Sequence, residues 1–218
     1  MSYDGRKISL VVIRRLPRYY RYLGELLNQN VKRISSKELS EKMNVTASQI
    51  RQDLNCFGGF GQQGYGYNVE ELHSEIGRIL GLRDGHKTII AGAGNLGHAL
   101  ANHGGFEKRG FKLVGIFDND EEKIGTFING VEVYDVAGLK DFLDKNDVSI
   151  GILAVPRTCT PQIADIMAAG GIKGILNFSY MDLKVPDSVV VENVHLSDSM
   201  MTLSYQIRNN SGKQSENR

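Results

Sequence analysis

The stretch 87–97, KTIIAGAGNLG, predicts the fold of more than half of the chain. The β-branched run from Lys87 to Ala91 is typical of a buried strand, and it leads into a glycine-rich turn and then a helix through Leu100. In the spacing GxGxxG, the three glycines allow a tight turn, a close approach of the backbone to a pyrophosphate, and close packing of helix on strand. The candidate cofactor-binding residues here are Ala91, Gly92, Ala93, Gly94, Asn95, Leu96 and Gly97.

An acidic residue follows this turn at the distance that a dinucleotide site requires. The run Leu113 to Phe117 predicts a second strand, and Asp118 stands at its end, 21 positions beyond Gly97. A carboxylate there can accept both hydroxyls of a ribose, while its charge repels the 2′-phosphate of NADP(H). The expected ligand is therefore NAD(H).

Alternating helix and strand patterns continue toward the C-terminus. Helices are predicted over 138–145 and 161–169, and strands over 149–155, 172–178 and 189–194. This alternation implies a parallel sheet with helices on both faces and a ligand crevice at the carboxyl ends of its strands. Two further loops should line that crevice, which adds Ala154, Val155, Pro156, Asn177, Phe178 and Ser179 to the cofactor-binding set.

The N-terminal quarter differs in charge from the remainder. Residues 1–57 hold 11 Lys or Arg against 5 Asp or Glu, a net charge of +6, although the whole chain carries only +1. The remainder is consequently net −5. A basic segment joined to an acidic one indicates contact with a polyanion through the first part, unless the charges are simply solvated.

Two short helices at helix-turn-helix spacing are predicted in the basic segment. A helix over 16–28 comes first, and then Ser35 with Glu38 has the spacing of a capping box, in which two side chains satisfy each other's backbone N–H groups. Thr46 and Gln49 repeat that spacing after a tight turn. This order predicts a helix-turn-helix.

The second helix of that pair has two distinct faces. One face is an apolar stripe, and the other carries residues that hydrogen-bond base edges or phosphates. The stretch 58–67, GGFGQQGYGY, is typical of a hairpin, so the segment as a whole predicts a winged helix. The candidate DNA-binding residues are Arg14, Arg15, Arg18, Arg21, Thr46, Ser48, Gln49, Arg51, Gln52, Asn55, Gln63 and Tyr65.

Length and composition exclude several classes of protein. The 218 residues are 41% hydrophobic and 23% charged, which suits one large or two small globular domains. No apolar run approaches the ~20 residues of a membrane-spanning helix, and no signal-peptide pattern opens the chain, so a soluble cytoplasmic protein is expected. The cysteines, Cys56 and Cys159, have no metal-ligand spacing, so no metal is expected.

The fold class is predicted to be α/β with two domains and a C-terminal helix. A helical pattern ends at Gly81, so a winged helix-turn-helix domain is expected over 1–82 and a Rossmann-type parallel-sheet domain over 83–194. A C-terminal helix is expected over 195–210, and the polar tail 211–218 is expected to be disordered. The apolar stripe of that helix consists of Leu196, Met200, Leu203 and Ile207.

The main alternative is a Rossmann-fold dehydrogenase with an N-terminal helical appendage. One spacing looks catalytic: Tyr180 and Lys184 form a YxxxK pair, but it requires a helix, and Pro186 opposes one. The histidines show no base-and-carboxylate pattern, so no catalytic residue is assigned. A CoA-binding or ligase-subunit domain is a third interpretation, which Asp118 and the basic segment oppose.

Several motifs together resemble one family. They are LPRYYRYL (16–23), ISSKELSEKMNV (34–45), IRQDL (50–54), FGGFGQQGYGY (57–67), AGAGNLG (91–97) and IFDND (116–120). Across about residues 8–207 the chain resembles Rex, the bacterial redox-sensing transcriptional repressors. The resemblance implies a homodimer that binds a palindromic double-stranded DNA operator when the NADH/NAD+ ratio is low and releases it when NADH binds. NADH and NAD+ would be sensed and not consumed, so no enzyme activity is implied.

Four positions depart from the usual pattern of that family. Gln52 and Gln63 stand where the family commonly has lysine and arginine, which removes two charges that could pair with phosphates. His103 and His195 stand where it commonly has a tyrosine after the phosphate-loop helix and an aspartate at the start of the last helix. Because the family exchanges this last helix between subunits near the crevice, the resemblance implies His103 and His195 as the switch residues.

Overall fold

The computed structural model describes residues 2–3, 6–58, 60–62 and 65–215. The chain divides into two compact units, Met1–Asp84 and Gly85–Arg218. This division falls two residues after the boundary that the sequence predicts.

The first unit is a winged helix, as predicted. Its elements are β1 (Ser2–Tyr3), β2 (Arg6–Lys7), α1 (Leu10–Ile13), α2 (Leu16–Asn28), β3 (Arg33–Ile34), α3 (Ser36–Met43), α4 (Ala47–Asn55), β4 (Gly61–Gln62), β5 (Gly66–Asn68) and α5 (Val69–Ile79). The helix-turn-helix consists of α3 and α4. β3, β5 and β4 form an antiparallel sheet in that spatial order, so the β4–β5 hairpin is the wing and the two-residue β3 is an addition that the sequence did not indicate.

Local sequence explains where these helices begin. α2 has Pro17 in its first turn, where the missing N–H has no helical partner to lose. Ser35 Oγ accepts from the Glu38 amide at 3.1 Å and Glu38 Oε2 accepts from the Ser35 amide at 2.8 Å, so the first capping box is complete. Thr46 Oγ1 accepts from the Gln49 amide, but the Gln49 side chain does not return the bond, so the second capping box is only half formed.

The second unit is a Rossmann fold, also as predicted. Its elements are β6 (His86–Ala91), α6 (Asn95–Ala101), β7 (Phe111–Asp118), β8 (Phe127–Ile128), β9 (Val131–Asp135), α7 (Leu139–Lys145), β10 (Ile150–Leu153), α8 (Thr160–Ala169), β11 (Gly174–Asn177), β12 (Val190–Asn193) and α9 (Leu196–Ser215). The seven-stranded sheet has the order β12-β11-β10-β6-β7-β9-β8, which is parallel except for β8. With β8 set aside, this is the order of two βαβ halves that meet between β6 and β10.

The hairpin of β8 and β9 was not predicted. Its turn residues Asn129 and Gly130 both have positive φ, 50° and 76°, which is the backbone that a tight hairpin turn requires. β8 is only two residues long and pairs antiparallel, so it has no periodicity for a sequence pattern to detect. β9, in contrast, completes the first half of the Rossmann fold by pairing parallel to β7.

The two faces of the sheet are covered differently. α7 and α8 pack against one face, over a core that includes Ile89, Leu153 and Met167. The other face has α6 and, beside it, an apolar cavity of about 410 Å³. Lining residues of this cavity include Ile90, Leu100, His103, Phe106, Ile152 and Leu176.

The last helix is longer than the sequence predicts. α9 continues through Ser215, five residues into the segment expected to be disordered. No proline interrupts it, and the isolated Gly212 costs only about 1 kcal/mol, which does not by itself end a helix. The four side chains of its apolar stripe, Leu196, Met200, Leu203 and Ile207, are 48–66% exposed.

Candidate functional site

The glycines of the 92–97 turn meet three different surroundings. Gly92 has φ +101°, and a Cβ there would clash with the Ala154 carbonyl oxygen. A Cβ at Gly97 would overlap the Gly92 carbonyl oxygen, so this glycine lets α6 pack on the end of β6. Nothing lies within 4 Å of a Cβ built at Gly94, among the described residues. The second glycine therefore faces the open space into which a pyrophosphate would fit, and no side chain caps the start of α6 beside it.

Asp118 lies directly beside this turn. Its Oδ2 accepts from the Ala93 amide at 2.6 Å, and its Oδ1 accepts from the Asp120 amide at 3.0 Å. The Gly92 amide donates to the Phe117 carbonyl oxygen at 2.7 Å, which joins the turn to the end of β7. The phosphate-binding turn and the ribose-binding acid that the sequence predicts are thus parts of one hydrogen-bonded structure.

The other two predicted loops also lie at this edge of the sheet. The Ala154 amide donates to the Ala91 carbonyl oxygen at 2.8 Å, and the Phe178 amide donates to the Leu153 carbonyl oxygen at 3.0 Å. Parallel pairing of β6, β10 and β11 brings their carboxyl ends level, since Leu153 is in register with both Ala91 and Asn177. The backbone of these loops therefore borders the crevice. The predicted residue Pro156 is exposed there and Val155 is half-buried.

The side chains of Asn177 and Ser179 serve the loop itself. Asn177 is fully buried, and its Nδ2 donates to the Met181 carbonyl oxygen and to Asn193 Oδ1, both at 2.8 Å. Its Oδ1 accepts from the Ser179 amide and from Ser179 Oγ at 2.7 Å. Because both amide hydrogens and the oxygen are used inside the protein, these two side chains position the loop and do not face a ligand.

The predicted DNA-reading face of α4 lies on the surface of the first unit. Ile50 and Leu54 are buried, and the polar residues predicted for the opposite face are exposed: Ser48, Arg51, Gln52 and Asn55. Arg51 Nη1 donates to Ser36 Oγ at 3.0 Å, so its guanidinium lies across the helix-turn-helix. Thr46 is exposed at the N-cap.

A buried carboxylate redirects two of the predicted DNA contacts. Asp53, on α4, is 1% exposed. Arg15 donates to both of its oxygens, at 2.6 Å each, while Tyr19 Oη and Gln49 Nε2 donate to it at 2.8 and 2.9 Å. Burial by itself raises the pKa of Asp53, but the hydrogen bonds from Arg15, Tyr19 and Gln49 outweigh it and hold that pKa below its ordinary value. Arg15 therefore neutralises the charge of Asp53, and Gln49 satisfies the same carboxylate with a neutral hydrogen bond, so both side chains are used to position α4.

The remaining basic residues lie outside this cluster. Arg18 and Arg21 flank the Tyr22 ring at about 6 Å, on the exposed side of α2. Arg14 is exposed as well. Arg18 and Arg21 are three residues apart on α2 and therefore lie on one face of that helix.

Beside the wing lies Arg33, a basic residue outside the set of DNA contacts that the sequence predicts. Arg33, on β3, donates to the Tyr65 carbonyl oxygen at 3.4 Å and lies 6.0 Å from the Tyr65 ring, which is itself 69% exposed. Arg33 is brought beside the wing by the pairing of β3 with β5. Because β3 is only two residues long, no periodicity in the sequence indicates this pairing. The predicted contact Gln63 is outside the described residues.

The two histidines of the expected switch lie in separate clusters within this chain. The His103 ring packs edge-on against Phe106 beside the apolar cavity. The His195 ring stacks on Tyr180 at 5.8 Å, and its Nδ1 is 3.6 Å from Asp198 Oδ2. His195 Nε2 is buried and has no hydrogen-bond partner among the described residues. Asp198 thus supplies a carboxylate within one turn of the position where the family commonly has its aspartate.

The YxxxK pair has no catalytic geometry. Residues 178–189, which the structure describes throughout, contain no helix, so Tyr180 and Lys184 do not share a helical face. In the part of the chain that the structure describes, no group of three or more His, Cys, Asp or Glu is arranged to hold a metal ion. None of the described helices is long and apolar enough to cross a membrane.

A winged helix joined to a Rossmann unit with a phosphate turn and a ribose acid defines a class: a DNA-binding regulator with a dinucleotide-binding domain. Two family models match, "Putative DNA-binding protein N-terminus" over residues 7–55 and "CoA binding domain" over residues 84–181. The chain is 61% identical to the redox-sensing transcriptional repressor Rex of Thermoanaerobacter pseudethanolicus over 92% of its length and 90% of that protein. It is 58% identical to the Rex protein of Clostridium perfringens over 94% of its length and 97% of that protein.

Solved structures agree with these relatives. RSP in complex with β-NAD+ and operator DNA matches with a TM-score of 0.89 and 58% identity, over 96% of this chain and 97% of that one. RSP in complex with β-NADH matches with a TM-score of 0.89 and 55% identity, over 96% and 99%. The chain belongs to the Rex family of redox-sensing transcriptional repressors. These relatives are repressors and not enzymes, so the dehydrogenase alternative is not supported.

Proposed function

We propose that this chain represses transcription by binding operator DNA through α4 and the wing, and that NADH and NAD+ are sensed in the crevice at the carboxyl edge of the sheet. The observation that carries the sensing half is the bond from the Ala93 amide to Asp118, directly beside the open space at Gly94. The observation that carries the DNA half is the exposed polar face of α4 opposite a buried stripe. The RSP complexes with NAD+, operator DNA and NADH support both halves.

The two ligands should be coupled. We expect NADH to weaken binding of the operator duplex used in the RSP complex, and that duplex to weaken NADH binding by the same factor, because coupling free energies are reciprocal. Such couplings commonly correspond to about 5- to 150-fold in affinity. NADH fluorescence titrated with and without the duplex measures one side, and fluorescence anisotropy of labelled duplex measures the other. NAD+ serves as the comparison ligand, with a smaller expected effect. Independent binding of NADH and DNA would contradict the proposal.

Arg51 should be the strongest single contact that α4 makes with DNA. It is the cation of the exposed face, so Arg51→Ala should cost about 1 to 3 kcal/mol of operator binding by loss of a guanine edge or a phosphate. Anisotropy titration of the duplex gives this value. Arg83→Ala is the matched control, because Arg83 is an exposed arginine of the same unit that bonds Ser74 on α5 and not α4. Equal losses for the two variants would show that only net charge matters.

Further DNA contacts are proposed on both sides of α4. On α2 and just before it, Arg14, Arg18 and Arg21 are exposed and suit contacts to phosphates. Beside the wing, Arg33 and Tyr65 are exposed and also suit contacts to phosphates. Arg15 and Gln49 are left out of the proposed set, because their polar atoms are bonded to Asp53.

A homodimer that exchanges α9 and binds a palindromic operator is the proposed assembly. Two features of the second unit support it: the exposed apolar stripe of α9 and the apolar cavity of about 410 Å³ on the sheet face beside α6. A 20-residue helix is about 30 Å long, and its stripe is unstable in water unless another surface covers it. A second copy has a cavity of matching character, and two-fold symmetry would then present two winged helices to a palindrome.

Charges on the α9 stripe should dissociate that dimer. Met200→Glu with Leu203→Glu is expected to convert the protein to a monomer, because each substitution places a carboxylate in an apolar contact. Sedimentation velocity measures the mass. Gln206→Glu is the control, since Gln206 is exposed on the same helix but about a quarter turn from the stripe. A dimer that survives the double substitution does not use this face.

The switch is proposed to use His103 and His195 of different subunits, because within one chain they belong to separate clusters. In this proposal, the two imidazoles meet between subunits when NADH is bound, in place of the family's usual tyrosine and aspartate. The same coupling titration tests this: His103→Ala and His195→Ala should still bind NADH but release DNA less completely. Unchanged release in both variants would remove the histidines from the switch.

A further inference from the structure

Three charged side chains lie together at the ribose end of the crevice. Lys123 Nζ is 2.8 Å from Asp120 Oδ2 and 3.7 Å from Asp118 Oδ1. The Asp120 amide donates to Asp118 Oδ1, and the Lys123 amide donates to the Asp120 carbonyl oxygen at 2.9 Å. This turn folds the chain back at the end of β7, so that the Lys123 ammonium lies beside the carboxylate that accepts from the Ala93 amide.

The charges of this cluster oppose one another. The hydrogen bond between Lys123 and Asp120 lowers the pKa of Asp120, and a hydrogen bond from the Glu122 amide lowers it further. The same contact with Asp120 raises the pKa of Lys123. Both are therefore ionised at neutral pH, and the three side chains together carry a net charge of −1. A ribose 2′-hydroxyl is neutral, whereas a phosphate monoester there adds a charge of about −2. Discrimination between the two thus depends on where the single positive charge is held.

We propose that Asp120 is a specificity-determining residue, which maintains selection of NADH over NADPH by holding Lys123 away from the 2′-position of the ribose. This inference rests on the proposed function, in which Asp118 accepts the ribose hydroxyls. Lys123 is 39% exposed and its ammonium is already within 4 Å of Asp118, so a small rotation would bring it to a 2′-phosphate. The 2.8 Å contact with Asp120 opposes that rotation. Asp118 repels the 2′-phosphate directly. Asp120 holds the Lys123 ammonium in an ion pair, so that this charge is not available to attract the phosphate.

Asp120→Asn is the first test. It removes the competing carboxylate but leaves Asp118 in place, so NADPH affinity should rise about tenfold while NADH affinity changes little, because a charge contact of this length near a surface has an effect of that order. NADH and NADPH fluorescence titrations at low ionic strength measure both affinities, since salt screens exposed charges. Asp144→Asn is the matched control. It breaks a similar exposed pair, Lys140–Asp144 at 2.6 Å on α7, and should leave the ratio of the two affinities unchanged.

A double-mutant cycle distinguishes two explanations of a gain in NADPH affinity: the freeing of the Lys123 ammonium, and the removal of the Asp120 negative charge by itself. In the Lys123→Met background, Asp120→Asn should raise NADPH affinity several-fold less than it does with the lysine present. An equal gain in both backgrounds would overturn the proposal, because the effect would then belong to the charge of Asp120 alone. An unchanged NADH/NADPH ratio in Asp120→Asn would also overturn it. Failure of the unsubstituted protein to bind NADH would instead contradict the proposed function, which keeps the two failures distinct.

Discussion

Gly97→Ala is expected to abolish NADH binding and to destabilise the second unit by about 3 kcal/mol, the upper end of the usual cost of overpacking. The reason is that a Cβ at this position overlaps the Gly92 carbonyl oxygen, which is backbone and cannot rotate away as a side chain would. α6 must then move off the end of β6, and the phosphate-binding turn moves with it. Thermal unfolding followed by calorimetry and NADH fluorescence measure the two effects.

Gly94→Ala is the matched control for that experiment. The same methyl group is added at the second glycine of the turn, where nothing lies within 4 Å among the described residues. The backbone there has φ −74°, which alanine adopts without strain. Gly94→Ala should therefore keep the melting temperature and lose NADH affinity, because its methyl group occupies the space proposed for the pyrophosphate. A Gly97→Ala protein with unchanged melting and binding would refute the packing argument.

Asp53→Ala should be the most damaging substitution in the first unit, at about 3 kcal/mol of its free energy of unfolding. It leaves the Arg15 guanidinium and the Tyr19 hydroxyl without their acceptor at a buried site. The value is the lower end of the range for a broken buried pair, because the Arg15 side chain is 28% exposed and solvent screens part of its charge. Chemical denaturation measures it. Operator affinity should fall as well, since these bonds orient α4.

The loss of unfolding free energy in Asp53→Ala should depend on pH, because it includes the contribution of the Asp53 charge. The folded pKa of Asp53 is held below its ordinary value of 3.8, so its stabilisation is fully present above that value. It is lost as the pH falls through the folded pKa. The gap between the unsubstituted protein and Asp53→Ala should therefore be full at pH 7 and shrink below about pH 4. A gap that stays constant to pH 2 would show that the charge of Asp53 contributes nothing.

Replacing both partners gives a further check. Arg15→Met with Asp53→Leu removes the buried charges together, and apolar replacements of a buried ion pair are often neutral or stabilising. This double variant should regain much of the stability that Asp53→Ala loses. If it is no more stable than Asp53→Ala, the loss comes from packing and not from the unpaired charge.

The sequence by itself determined both fold units and the main parts of the proposed site. Periodicity predicted the helix over 16–28 and the two faces of α4, because helical spacing records which side of an element meets a core. The glycine spacing and Asp118 predicted the proposed phosphate turn and ribose acid, because a Cβ at Gly92 or Gly97 would meet backbone atoms and a carboxylate repels a 2′-phosphate. These signals are local, and each depends on residues close together in the chain.

Only the tertiary structure decided which polar residues face inward. Arg15 and Gln49 are as polar as Arg51, but Asp53 lies 38 positions from Arg15 and the pair forms when α2 and α4 pack together. Asn177 likewise bonds Asn193 on a neighbouring strand. A buried polar group requires partners that satisfy it, and packing brings those partners from distant parts of the chain. Sequence spacing records which residues can form hydrogen bonds, while the folded core determines which of them are left for a ligand.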